Sequence, residues 1–411
     1  MSWEKVTLGD ISSNIQTGPF GSQLHQSDYS KEGTPVVMPK DLVNGHISEA
    51  SIARVSEDHV NRLTRHKIEA GDIIYSRRGD VGRCAFATEA EQGWLCGTGC
   101  LRVTIDRNKA NPKFVFYQLQ KAETVGWVEQ HAVGATMLNL NTSILSSVPI
   151  EMPSLVEQEV FVGILSAYDG LIENNQKQIK LLEEAAQRLY KEWFVDLRFP
   201  GHETTPITDG IPEGWSNRPL SDVFDFVRGK SYTSKELSDI DGVLMANLKN
   251  IRAFGGYKRN AEKRFTGQFK ENQTLSAGDV VMGVTDMTQE RRLVGHVALV
   301  PDMGEVMTFS MDLIKIIPKL TDKLFIYSAL YYGGLSKQIS PLANGVNVLH
   351  LKPEAMLGIE MLIPHDAILR AYHEQIAPII VRIEALQKQC DIAAEARDRL
   401  LPKLMNREIE V

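Results

Sequence analysis

The chain is 411 residues long, enough for two or three domains at roughly 150 residues each. With 43% apolar and 24% charged residues it has a globular composition, which excludes disordered and fibrous classes. A net charge of −7 excludes a generally basic nucleic-acid coater, but not a protein whose basic groups share one face.

Residues 1–153 mix short β-branched runs (Ile73-Ile74-Tyr75, Leu101-Arg102-Val103-Thr104-Ile105) with Gly- and Pro-rich turns, the pattern of an α/β or β-rich globule. At 154 the period changes. Ser154-Leu-Val-Glu157 has the spacing of a capping box, and a heptad seam then runs through Tyr168, Ile172, Asn175, Ile179, Leu182, Ala186, Leu189 and Trp193. Residues 199–214, with three prolines and three glycines in sixteen positions, form a linker. Residues 215–364 return to the globular pattern. The segment 365–411 is helical again, and Pro378 is expected to start its helix or kink the lead-in. Shifting the first seam by 211 gives Ile379, Ile383, Leu386, Cys390, Ala393, Arg397, Leu400 and Leu404. Asn175 and Arg397 are the polar exceptions. Two helices sharing one seam are expected to pair antiparallel.

The two halves also match in motif order. Trp3-x4-Leu8-x-Asp10 resembles Trp215-x4-Leu220-x-Asp222, and Ala70-Gly71-Asp72-Ile73-Ile74 resembles Ala277-Gly278-Asp279-Val280-Val281. Val81-Gly82-Arg83 recurs as Val294-Gly295-His296, and Gly134-x-x-x-Leu138-x-Leu140 as Gly345-x-x-x-Leu349-x-Leu351. Several matches in one order point to a duplicated unit with different insertions in each copy.

Catalytic patterns are hard to find. Gly229-Lys230-Ser231 has the tail of a phosphate-binding loop, but position 224 is Phe where that loop needs Gly. No His-Glu-x-x-His zinc pair occurs. Cys84, Cys96 and Cys100 match no common zinc spacing and read as small core residues. The chain has no Pro-Pro pair, which excludes the Asp/Asn-Pro-Pro-Tyr/Phe loop of amino-methyltransferases. We therefore expect a non-enzyme with no cofactor of its own. Four cysteines in all, no long apolar run and no leader-like start suggest a reducing, cytoplasmic setting away from membranes.

Positive charge clusters within the globules. From Lys249 to Lys270 seven basic residues, including Arg252, Lys258 and Arg259, face one acid, Glu262, with four aromatics between them. Arg77-Arg78, with Arg83 close behind, and Arg291-Arg292 flank the Val-Gly turn of each half. Arginine pairs with guanine edges and both cations with phosphates, so duplex DNA is the expected partner.

The whole chain resembles the specificity (S) subunits of type I restriction–modification enzymes. The carriers are the Trp-x4-Leu-x-Asp starts, Thr17-Gly-Pro-Phe-Gly-Ser22 followed by Asp28-Tyr29, Gly71-Asp-Ile-Ile followed by Gly79-Asp-Val-Gly82, and Leu181-Leu-Glu-Glu-Ala-Ala-Gln-Arg-Leu-Tyr190. The resemblance implies an α+β chain: two tandem target recognition domains (1–153 and 215–364), each reading half of a split DNA site, held apart by an antiparallel coiled coil (154–198 and 365–411). It implies docking of two modification subunits that bind S-adenosylmethionine and, in some systems, two ATP-driven restriction subunits. Phe20, Ser22, Lys40, Lys230 and Tyr232 complete the candidate DNA set. Ile172, Ile179, Leu182, Leu189, Ile383, Leu386, Leu400 and Leu404 are the expected helix-pairing seam. Four heptads span about 42 Å, comparable to the ~34–36 Å of one DNA turn. A protein-interaction adaptor and a self-contained DNA methyltransferase are the competing readings.

Overall fold

The computed structural model describes residues 3–20, 23–134 and 137–409 of a mixed α/β chain. Two compact units emerge, one of Met1–Glu173 with Asp391–Val411, the other of Asn174–Cys390. Each unit therefore takes in part of both long helices, which run over Leu155–Tyr190 and Asp366–Met405.

In the first unit the central antiparallel sheet has the order Ser12–Thr17, Cys100–Ile105, Ile73–Ser76, Cys84–Phe86. A second sheet orders Leu95–Cys96, Thr34–Val37, Ala53–Val55 and Tyr29–Ser30. The alternation of Ile73, Tyr75, Leu101 and Val103 puts one face of the central sheet into the main core, against the helix Pro112–Leu119. The Trp-x4-Leu-x-Asp start proves to be structural. Trp3 lies edge-on to Phe161 at 5.7 Å, Leu8 is fully buried, and the Asp10 carboxylate accepts from Thr7 N at 2.9 Å to cap a short helix. Glu4–Thr7 pairs antiparallel with Pro149–Met152, the strand that leads into the first long helix. That helix starts as its spacing predicts. Ser154 N donates to Glu157 Oε2 at 2.9 Å, and Glu157 N donates back to Ser154 Oγ at 3.3 Å.

In the second unit the central antiparallel sheet is ordered Phe224–Arg228, Leu313–Pro318, Val280–Gly283, Val297–Leu299. A five-stranded sheet lies beside it, ordered Leu237–Ser238, Lys263–Phe265, Val243–Ala246, Met307–Phe309, Thr274–Leu275. Ser216–Pro219 pairs with Glu360–Ile363 just before the second long helix. The 199–214 segment is anchored at both ends, since Phe199 is buried and stacks at 4.6 Å on Trp215. Between them Ile207–Thr208 and Ile211–Pro212 form a hairpin whose turn residues Asp209 and Gly210 both have positive φ.

Pro378 requires a correction. The helix begins at Asp366, twelve residues earlier, and passes through the proline. Position 378 faces solvent while Tyr372 and Ile376 are buried, so the carbonyl left without its partner is turned towards water.

Within each unit the helices meet along the seam. In the second unit Ile179, Ile383 and Leu386 form a cluster with Leu182 packed against it, Leu189 joins the unit's main core, and Asn175 Nδ2 donates to Gln389 Oε1 at 3.3 Å. In the first unit Leu404 is buried in the core with Leu400 against it, and Ile172 is buried. There the polar position Arg397 reaches Asp169 at 2.8 Å.

Candidate DNA interface

The first unit builds its candidate surface where two loops meet. Arg77 and Arg78 follow the strand Ile73–Ser76. Their backbones are tied to the loop that ends at Leu140, with Leu140 N donating to Arg77 O at 2.8 Å and Arg78 bridged to Asn139. Gly134 has φ of +133° and a Cβ there would run into Met137 O, so only glycine lets this loop turn back on itself. Arg78 points into solvent. Arg77 is half-buried, with an Nε that finds no hydrogen-bond partner among the described residues. Arg83 is committed to Asp80, with Nη2 to Oδ2 at 2.6 Å, and Lys40 donates to Ser51 O at 2.7 Å. Phe20 is an exposed aromatic at the Gly-Pro-Phe-Gly loop. Ser22 lies outside the described residues.

In the second unit the counterpart of the Arg77 position is Val284, whose carbonyl accepts from Leu351 N at 2.8 Å. Arg291 and Arg292 lie instead in an insertion between Asp286 and Val294. The fully buried Asp286 organises it: Oδ1 accepts from the Thr288 amide and hydroxyl, both at 2.8 Å, and Oδ2 from Leu293 N at 2.6 Å. Burial works to raise this carboxyl, but these bonds outweigh it and hold the group below its ordinary range. Gln289 Nε2 donates to Val346 O at 2.7 Å, joining the insertion to the loop around Gly345, which has φ of +152°. Arg291 stands at a positive φ with an Nε that finds no hydrogen-bond partner among the described residues, and Arg292 is ion-paired with Glu290.

The basic run from Lys249 divides by contact. Lys249, Arg252 and Lys258 are exposed and line a shallow groove of about 720 Å³ with Lys263. Its one acid, Glu262, already accepts from Tyr257 OH at 2.8 Å and Asn250 Nδ2 at 2.9 Å. Lys263 Nζ donates to Tyr232 OH at 2.6 Å, fixing that ring on the same side. Arg259 turns inward: its side chain is 11% exposed and reaches Glu384 at 3.4 Å. Lys230 is half-buried, and its backbone bonds to Phe309 and Met311. Sequence reasoning passed over Asp286 and Gln289, because neither makes a recognisable motif without the loop they hold.

Among the described residues no cluster of three metal-ligating side chains occurs, and no helix is long and apolar enough to cross a membrane. Cys84, Cys96 and Cys100 are buried free thiols, and burial pushes those of Cys84 and Cys96 up to about 12.

Residues 1–184 match the family described as type I restriction modification DNA specificity domain. The chain is 27% identical to the MjaIX specificity subunit of Methanocaldococcus jannaschii, over 92% of this chain and 87% of that protein. It is 21% identical to the HindI specificity subunit of Haemophilus influenzae, over 99% of each. The fold is similar to that of the S subunit of a type I system from M. genitalium, with a TM-score of 0.59 and 16% identity over 98% of this chain and 96% of that one. The first 184 residues are thus similar to the type I restriction–modification DNA specificity domain, and the chain along its length is similar to specificity subunits of these enzymes.

Proposed function

We propose that this chain is the DNA specificity subunit of a type I restriction–modification complex, in which each globular part reads half of a bipartite target. The observation that carries the reading is the presence, in each unit, of an exposed arginine on a loop that follows a strand of the central sheet. Arg78 stands beside the Gly134 loop, and Arg292 on an insertion tied to the Gly345 loop, with the half-buried Arg291 next to it. A surface of this kind contacts phosphates and base edges without carrying out chemistry.

The same order of four antiparallel strands in each unit, followed by a long helix, supports an internal duplication. Contacts between residues 175–182 and 383–389 within the second unit support an antiparallel coiled-coil spacer. On this reading the chain is non-catalytic. S-adenosylmethionine and ATP bind to partners, two modification subunits and, where present, restriction subunits.

The test compares methylated sites in a strain with and without this chain. A bipartite motif that disappears with the chain is the expected result, and an unchanged methylome overturns the proposal. Inserting one heptad in the first helix should lengthen the unread gap. An unchanged gap removes the spacer role but leaves the reading role standing.

A further inference from the structure

The second unit contains a pocket lined by residues outside the candidate DNA set. It has a volume of about 470 Å³ and lies between the two long helices and the globular part of this unit. Its walls include Tyr257, Tyr327 and Tyr332 with Leu299, Val381 and one acid of unusual standing, Glu183. The other charged or titratable groups in the wall already have partners. Glu384 takes Arg259 at 3.4 Å and Asp302 N at 2.8 Å, Asp322 caps a helix by accepting from Leu324 N at 2.8 Å and faces His373 Nδ1 at 3.5 Å, and Lys323 is paired with Asp279. Among the described residues Glu183 makes neither a hydrogen bond nor an ion pair, and Arg252 acts on it only through space.

A half-buried carboxylate without a partner is costly, because desolvation is not offset by a hydrogen bond or a contact ion pair. Burial accordingly pushes the Glu183 carboxyl up. The rings beside it have the geometry of an aromatic box: Tyr327 and Tyr332 stand nearly perpendicular, 83° apart, with centroids 5.9 Å from one another. Tyr327 is only 5% exposed, and among the described residues its hydroxyl makes no hydrogen bond. A carboxylate, a nearly buried hydroxyl and two ring faces around one cavity are complementary to a cation on an apolar stem. Val381, 65% exposed at the rim on the second long helix, extends the apolar surface outwards, as a protein-borne side chain with its neighbours requires and a free cation does not.

We infer that this pocket is a socket for an arginine or lysine side chain presented by a partner protein, with Glu183 as the counter-ion and the tyrosines as the cage. The lining of the socket is separate from the candidate DNA set, with Arg252 of that set acting on Glu183 only through space. It identifies a protein-docking point on the helices themselves.

The test uses the full chain labelled with fluorotyrosine and three probes followed by fluorine NMR: N-acetyl-arginine methylamide, its neutral norleucine counterpart, and spermidine. The arginine derivative should shift the Tyr327 and Tyr332 signals, assigned by Tyr→Phe variants, in a saturable way. Glu183→Gln should weaken it about ten-fold, as expected for loss of one charge-assisted contact. Lowering the pH through the Glu183 titration should weaken it likewise. Equal binding of the norleucine derivative, no shift at either tyrosine, or undiminished binding to Glu183→Gln would each overturn the assignment. Tighter binding of spermidine would overturn it in favour of a free polyamine. None of these outcomes touches DNA recognition, which the methylome experiment decides separately.

Discussion

Arg397 Nη1 donates to Asp169 Oδ1 at 2.8 Å, joining the second long helix to the first inside the first unit. Asp169 is 12% exposed and also accepts from Tyr117 OH at 2.6 Å, with Lys113 at 3.4 Å. Arg397 is an exception in the apolar seam because its charge is matched by an acid on the facing helix. Burial raises the Asp169 carboxyl, but its hydrogen bonds from Tyr117 and Arg397 and the charge of Lys113 lower it further, so the net shift is downward.

Arg397→Gln should therefore destabilise the first unit by about 2 kcal/mol, below the ~3–5 kcal/mol of a fully broken buried pair because Tyr117 and Lys113 remain. A carboxyl lowered on folding stabilises fully above its unfolded value of about 3.9 and loses that contribution as pH falls through the folded value. Hydrogen exchange of residues 391–405 at pH 7 and at pH 3.5 measures this. The difference between the two proteins should shrink at the lower pH, and a constant difference would count against the pair.

His66 supplies a second pH effect in the same unit. It is buried, and burial, then Arg65, then Arg102 bring its pKa down to about 4. Arg65 Nε donates to His66 Nε2 at 3.0 Å, which requires that nitrogen to be an acceptor. The unfolded chain takes up a proton near pH 6.5 and the folded one only near 4, so stability is complete above 6.5 and falls as pH drops through this window. Urea titrations at half-unit pH steps should show the slope, and His66→Gln should flatten it.

The groove residues and their inward neighbour should behave differently. Lys249→Ala and Lys258→Ala should each lower the salt slope of DNA binding by about one unit, with affinity reduced alike for all sequences. Arg259→Ala should leave the slope unchanged and instead lower thermal stability, because its side chain is spent on Glu384. A changed salt slope in Arg259→Ala would show that the arginine leaves Glu384 to meet DNA.

Asn175, 2% exposed in the seam, should act as a specificity device at a cost in stability. Asn175→Leu should raise the melting temperature, by a gain of about 1 kcal/mol, while permitting other helix registers. Calorimetry measures the first effect and light scattering the second. A lowered melting temperature would show that the bond to Gln389 outweighs the apolar gain.

Some of the candidate site was visible in the amino-acid order and some was not. Arg78, Lys249 and Lys258 are exposed cations flanked by turn-forming residues, and their exposure follows from that local context. Arg259 sits in the same basic run and faces the other way, because Glu384, 125 residues further on, is brought beside it. Motif order puts Arg291-Arg292 just before the Val294-Gly295 turn, displaced by an insertion from the equivalent of Arg77-Arg78. The hydrogen bond from Leu351 N to Val284 O identifies Val284 as the counterpart of Arg77, and Asp286 holds the insertion that carries Arg291.

What the sequence alone determined is what neighbouring residues decide between them. The capping box of Ser154 and Glu157 and the heptad stripe each arise within a few residues, so spacing is enough to reveal them. What only the tertiary structure decided is the state of each charge. Whether a cation is free for a phosphate or consumed by a carboxylate depends on residues distant in the chain, and the energy at stake is set by burial that no local pattern records. Arg397, Arg259 and Glu183 are alike as charged residues in a sequence. The fold gives the first two their partners and leaves the third half-buried, with no contact partner among the described residues.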